Sequence, residues 1–396
     1  MKIVCVFVLM LYYYCCCRVQ CHGETTIKGQ EGQGEGQRVI LSILLGSITG
    51  LGCALVSASL LTLVFRCIKR PPILKGPVVF SPRISPKSLQ SALLLLLLAN
   101  QSQSHYLLLL DDSFTVSVKR LQTQKNSAKI RRRIQRELEI LAGLRHRNLM
   151  SLMAYYYVVQ PNTTTNTSSS SSSFCLVYDY LPTGSLEDAM RRSSQLPFGW
   201  DTRLRIAVGI IKGLHHLHFG CTPRILHYNL KPSNVLLDAE FEPRLGDCGL
   251  MHTFHEIRSS QLLLLQQGQG HYYAPECFPN FSIYTEKSDI FSFGVILGML
   301  VTGRDPKDPV FGEVTSSGSG SGRRGGMGMW LRQVLEAGDG REALDKSLLL
   351  GGGREEMEED EMLMAVRIAA VCLSDMPADR PSSDELVPML TQLHSF

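Results

Sequence analysis

The chain has 34 glycines in 396 residues, yet none lies between Gly76 and Gly143. That gap excludes a glycine-lined hairpin there, the device by which backbone N–H groups approach a phosphate with no Cβ in the way. Charge is also scarce, with 19% Asp, Glu, Lys and Arg against 44% hydrophobic residues. A net charge of +4 with no basic stripe beyond one short flank gives no footing for nucleic-acid binding. The 12 cysteines give no disulfide framework, because five crowd the first 21 residues and the rest are scattered, so reduced thiols are expected.

The scarcity of charge is most pronounced near the N-terminus. Met1-Lys2 followed by the apolar run Ile3 to Tyr14, with Cys21-His22-Gly23 behind it, reads as a signal peptide over 1–23; an uncleaved anchor is the alternative. Residues 24–38 are rich in Gly, Gln and Glu and too poor in apolar side chains to bury a core. This short extracellular segment is expected to be disordered, so a sensing partner is required. Residues 39–65 carry no charge, about 27 residues or roughly 40 Å of helix, enough to span a bilayer. Arg66, Lys69, Arg70 and Lys75 follow at once, which places the C-terminal part in the cytosol, a single-pass type I arrangement. Gly46 and Gly50 form a small-xxx-small pair suited to helix association, although glycine is common in such helices anyway.

Pro71, Pro72, Pro77, Pro82 and Pro86 mark an irregular juxtamembrane linker over 66–90, and the globular pattern begins at residue 91. Short apolar runs at Leu93–Leu98, Tyr106–Leu110, Thr115–Val118, Leu152–Val159 and Phe174–Tyr178 favour strands around an amphipathic helix at Ala128–Leu144. The tracts Asn162–Ser173 and Ser316–Gly328 read as loops, and the acidic run Glu355–Glu361 as a solvated face or loop. The second half is expected to be mainly helical. Ser185 with Asp188 makes a capping pair, and Ile290–Leu300 a buried helix.

The chemistry-bearing residues lie in ILHYNLKPSNVLL (225–237), then Asp247-Cys248-Gly249, then Ala274-Pro275-Glu276. With Val118-Lys119, Glu137 ahead of LRHRN, Ser288-Asp289 and Asp379-Arg380-Pro381 in order, residues 91–396 resemble the protein kinases. The likeness implies an α+β, bilobal protein kinase-like fold, with a small β-rich N-lobe and a large α-helical C-lobe, preceded by the single transmembrane helix. It also implies that Lys119, held by Glu137, meets ATP phosphates, that Asn234 and Asp247 hold Mg²⁺, and that Lys231 belongs to the catalytic loop. Tyr178, Asp179 and Leu181 would line the nucleotide site at the hinge. Glu276 with Arg380 would support the activation segment, and Asp289 would brace the catalytic loop.

Two departures from the pattern bear on activity. Asn229 stands where the family has its catalytic aspartate, and general base catalysis is worth about 10²- to 10⁴-fold. Tyr228 replaces the arginine that anchors a phosphorylated activation segment. Counting back from Lys119 puts the three glycine positions of the phosphate hairpin at Leu98, Asn100 and Gln103, whose side chains should obstruct the cleft or cover nucleotide loosely. These features favour an inactive kinase that needs no cofactor, with ATP and Mg²⁺ as the ligands its site would take; a weakly active serine/threonine kinase is the alternative.

The segments LVYDYLPTGSLEDAM and DRPSSDEL resemble the plant receptor-like kinases, and the HYN loop and DCG resemble their inactive members in the CLAVATA pathway. That resemblance implies pairing through the membrane segment with a CLAVATA-type leucine-rich receptor-like protein lacking a kinase domain, and work alongside active receptor-like kinases. It implies relay of CLE peptide signals that limit meristem stem cells. The expected location is the cell membrane, or the endoplasmic reticulum when unpartnered.

Overall fold

The computed structural model describes residues 50, 52, 54–60, 76–99, 104–110, 114–123, 127–160, 171–192, 198–254, 270–277, 283–312, 326–349 and 356–393. The signal peptide, the extracellular segment and most of the expected span lie outside them. Two compact units divide the chain, Met1–Pro72 and Ile73–Phe396. Within the first, residues 54–60 are helical, and Ser59 Oγ donates to the Leu55 carbonyl at 2.8 Å. Among the described residues no helix is long and apolar enough to cross a membrane.

The second unit opens with β1 (Val78–Val79), α1 (Pro86–Ala99), β2 (His105–Leu110), β3 (Phe114–Thr123), α2 (Ala128–Ala142), β4 (Leu152–Gln160) and β5 (Ser171–Asp179). The strands form one antiparallel sheet in the order β1-β4-β5-β3-β2. Alternation along β3 sends Val116 and Val118 to one face while Ser117 and Lys119 take the other. The first face packs with Met153, Cys175 and Val177 beneath α1, and the second meets α2 through Ile134, Leu138, Phe174 and Leu176.

Helix α1 overturns the expectation of a strand at Leu93–Leu98. Pro86 sits at its first position, where the missing N–H costs nothing, and leucine is a strong helix former without a branched Cβ. Leu89 and Leu93, one helical turn apart, are fully buried on the sheet. The linker expected over 66–90 is likewise not irregular throughout. Val78 and Val79 pair with Tyr155 and Ala154, Ile84 is buried, and Phe80 packs on Tyr155 with ring centroids 5.9 Å apart. The polar tract 162–173 ends as strand, since Ser171–Ser173 belong to β5.

The C-terminal part adds α3 (Leu186–Arg192), α4 (Trp200–Phe219), β6 (Val235–Leu237), β7 (Pro243–Leu245), α5 (Leu250–Phe254) and α6 (Glu286–Thr302). After these come α7 (Met327–Glu336), α8 (Lys346–Leu349), α9 (Glu356–Cys372) and α10 (Ser383–Leu393). Helix α3 starts where expected, because Ser185 Oγ accepts from Asp188 N–H at 3.1 Å while the Asp188 carboxylate accepts from Ser185 N–H at 3.0 Å. Helix α6 is buried from Ser288 to Thr302, with α4 and α9 packed on it. Gly294 permits the α9 contact, since a Cβ there would come within 2.7 Å of the Cys372 Cβ. The acidic run 355–361 is largely the first two turns of α9 rather than a loop, and its first residues lie where negative charge meets the helix dipole favourably. Glu361 also accepts from the Trp200 indole N–H at 2.9 Å.

Candidate active site

The loop carrying Asn229 is held from below by one carboxylate. Asp289, fully buried at the start of α6, accepts from the backbone N–H groups of His227 at 2.8 Å and Tyr228 at 3.1 Å. Its oxygens also meet His218 Nε2 at 3.0 Å and the Tyr284 hydroxyl at 2.5 Å. Burial alone would raise this carboxyl, but the bond and charge of His218, with His227 and Tyr284, bring it below the usual range. Asp289 therefore braces the loop as the sequence suggests. The four histidines 215, 216, 218 and 227 serve separate neighbours: His215 stacks on Phe219, His216 on His146, His218 bridges Asp289 and Ser383, and His227 accepts from Asn229 N–H.

Tyr228 has a left-handed backbone, φ 64°, which costs a non-glycine residue about 1–3 kcal/mol and persists only where surroundings impose it. Its N–H bond to Asp289 is one such constraint. Its ring is another, stacked on His252 at 5.3 Å and tilted against Tyr284 at 4.7 Å. Aromatic packing thus fills the place of the missing arginine and ties the loop to α5.

Asn229 presents its side-chain oxygen to Tyr273, whose hydroxyl donates to it at 3.2 Å. The group that would face a substrate hydroxyl is therefore an uncharged amide already engaged by the chain's own tyrosine. Asn234 donates through Nδ2 to the Asn229 carbonyl at 2.8 Å, which leaves its side-chain oxygen for another partner.

Across the cleft, Lys119 on β3 is ion-paired directly with Asp247, another residue with positive φ at 62°. Burial would raise the Asp247 carboxyl, but Lys119, followed by His105 and His227, holds it below the usual range. The expected grip of Glu137 on Lys119 is not made; among the described residues no ion pair joins them. Lys231 lies in the same field. Burial and Lys119 lower its pKa against the opposite pull of Asp247 and Glu187.

Strand register brings to this cleft a residue that counting along the sequence did not name. His105 pairs directly with Lys119, and directly opposed residues share a face of the sheet. Burial, Lys119 and Lys231 lower the His105 pKa, while Asp247 pulls it up. Leu98 lies in α1, and Asn100 and Gln103 fall outside the described residues. The signal that finds His105 is the turn Asp111-Asp112-Ser113: reflecting Lys119 through its centre lands on residue 105. Tyr273 carried no comparable mark, because its contact with Asn229 spans 44 residues.

At the hinge, Tyr178 and Asp179 end β5 and Leu181 follows. Burial, then Asp247 and Cys248, push the Tyr178 phenol well above its ordinary range, and its side chain packs against the core that holds Leu176 and Cys248. Asp179 instead accepts from the Tyr180 N–H at 3.1 Å and faces a cavity beside Arg83 and Arg244. The activation segment is pinned at its end by Arg380, whose guanidinium grips Glu276 at 2.7 and 2.8 Å and lies 5.0 Å from the Phe291 ring.

Comparison with known proteins agrees with this geometry. Residues 106–388 match the protein kinase domain family. The chain is 51% identical over 349 residues to the inactive leucine-rich repeat receptor-like protein kinase CORYNE of Arabidopsis thaliana, covering 84% of this chain and 78% of that protein. It is 33% identical over 264 residues to the leucine-rich repeat receptor-like serine/threonine/tyrosine-protein kinase SOBIR1 of the same plant, covering 66% of this chain and 37% of that protein. Among solved structures, the pseudokinase domain of BIR2, an immune regulator of the RLK/Pelle family, superposes with a TM-score of 0.60 at 25% identity, over 84% of this chain and 93% of that one. With a kinase's loops in place and its base position held by an amide, the chain belongs to the protein kinase family, as an inactive receptor-like member of it.

Proposed function

We propose that this protein is a single-pass membrane pseudokinase whose cytosolic domain is a docking platform rather than a catalyst. The observation that supports this best is the Asn229 amide held by Tyr273, facing a cleft in which Lys119 and Asp247 satisfy each other. Phosphoryl transfer depends on a base to orient the incoming hydroxyl and on free charges to receive the phosphates. Here the base is absent, and the charges are paired.

ATP and Mg²⁺ are optional ligands in this reading. Asn234 and Asp247 are of the donor types that hold Mg²⁺, and Lys119 and Lys231 of the type that meets phosphate. When bound, Mg-ATP would supply charge neutralisation and a γ-phosphoryl group with no base to direct its acceptor. Lys119 must first release Asp247, and His105 sits opposite Lys119 on the sheet.

With so short an extracellular segment, the sensing partner is a kinase-less leucine-rich receptor-like protein, met through the Gly46/Gly50 face of the span at residues 39–65. The pair relays CLE-type peptide signals that limit meristem stem cells, at the cell membrane and with active receptor-like kinases, and an unpartnered chain waits in the endoplasmic reticulum. The test is complementation of a plant lacking the protein. Lys119→Met and Asp247→Ala should restore signalling fully, whereas Gly46→Leu with Gly50→Leu should lose both receptor association and signal. Loss of signalling in the first pair, with expression intact, would make the domain an enzyme.

A further inference from the structure

A cavity of about 240 Å³ lies away from the nucleotide cleft, between the segment after β1 and the start of β4. Arg83, Arg145 and Arg244 line it from three separate stretches of chain, and Phe80, Met150 and Met153 supply apolar walls. The three cations are incompletely matched. Among the described residues no ion pair engages the exposed Arg83 guanidinium. Arg145 Nη1 donates to the Ala142 and Leu144 carbonyls at 2.5 and 2.8 Å, which fixes the group without neutralising it. Arg244 Nη2 stands 3.5 Å from Asp238, while its Nε meets no acceptor among the described residues. The one acid in the wall, Asp179, already accepts from Tyr180 N–H at 3.1 Å.

We propose that this cavity is a docking site for a phosphorylated segment of a partner protein. The phosphomonoester sits among Arg83, Arg145 and Arg244, and a neighbouring apolar side chain rests on Met150 and Met153. Arginine suits this ligand because its planar fork bonds phosphate oxygens in pairs, and three cations balance the charge of about −2 on the ester together with that of Asp179. The apolar wall decides between ligand sources. An inositol lipid headgroup is polar all round and would waste the methionines, whereas a phosphorylated Ser or Thr followed by leucine uses both halves. The partner's identity as a phosphoprotein rests on the docking reading above, but the site shares no charged group with the Lys119 cleft.

Full-length protein in detergent micelles would be titrated by fluorescence anisotropy into a labelled Gly-Leu-phosphoThr-Leu-Gly peptide and its unphosphorylated twin. A parallel arm uses phosphatidylcholine vesicles doped with phosphatidylinositol 4,5-bisphosphate. The phosphopeptide should bind at least about tenfold more tightly than its twin, and Arg83→Glu and Arg244→Gln should each erase that margin. Arg83 is exposed, so its variant keeps the wild-type melting curve and decides the matter even if Arg244→Gln melts early. Lys119→Met should bind as wild type, which separates this site from the nucleotide cleft and from the inactive-kinase reading. Equal affinity for both peptides, an undiminished margin in Arg83→Glu, or recruitment by the lipid vesicles alone would each overturn the proposal.

Discussion

The two ends of the catalytic cleft have diverged by different amounts. On the C-terminal side, Asp289 with His218 and Tyr284, and separately Glu276 with Arg380, form satisfied groups that would serve a working kinase equally well. On the N-terminal side, a helix lies where a hairpin strand was expected, His105 faces Lys119, and Lys119 is spent on Asp247. The contrast shows which parts the fold cannot lose. A buried charge without its partner destabilises the whole domain, whereas a phosphate cradle costs nothing structurally once no phosphate has to be moved.

The contrast would break first at Arg380. Its side chain is fully buried, so Arg380→Ala should cost about 3–5 kcal/mol in denaturant unfolding, because Glu276 is left without its bidentate partner. A loss below about 1 kcal/mol would mean that the C-lobe does not depend on this pair.

Helix α1 sharpens the other side. Leu93→Ala should remove about 2–5 kcal/mol, since that side chain is fully buried on the sheet. Leu95→Ala, 69% exposed, should stay within about 0.5 kcal/mol. A strand through the same residues would bury alternate positions instead, so Leu95 would respond along with Leu93.

Acid provides a finer probe. Burial would raise the Glu276 carboxyl, but the hydrogen bonds and charge of Arg380 bring it below its ordinary 4.5. Its folded pKa is depressed, so its contribution is complete above about 4.5 and is lost as pH falls through the folded value. Urea midpoints should therefore decline below pH 4.5 in the wild type. In Glu276→Gln that part of the decline should vanish; an unchanged profile would assign the acid sensitivity elsewhere. The smallest expected effect is at the α3 cap, where Ser185→Ala should cost about 1 kcal/mol.

The same contrast explains what could be read from the sequence. The C-lobe was legible because its function rests on side chains in fixed local motifs: the Ser185–Asp188 cap, Asp289 at the start of a continuous apolar run, and Ala274-Pro275-Glu276 ahead of Arg380. The N-lobe was less so. Six consecutive leucines carry no periodicity, so burial at Leu89 and Leu93 could not be distinguished from a strand's alternation. His105 carried no mark of its own, because its place opposite Lys119 depends on where the β2–β3 turn falls. The Lys119–Asp247 pair joins residues 128 apart, which only the folded chain brings together.

The most direct measurement is transfer of labelled γ-phosphate from Mg-ATP to peptide and to itself by the full-length protein, purified free of other kinases and set beside Asp247→Ala. The Asn229 amide and the Lys119–Asp247 pair predict incorporation no higher than in that variant, and no robust gain in Asn229→Asp while His105 still sits opposite Lys119. Rapid, stoichiometric, metal-dependent labelling that Asp247→Ala abolishes would contradict it.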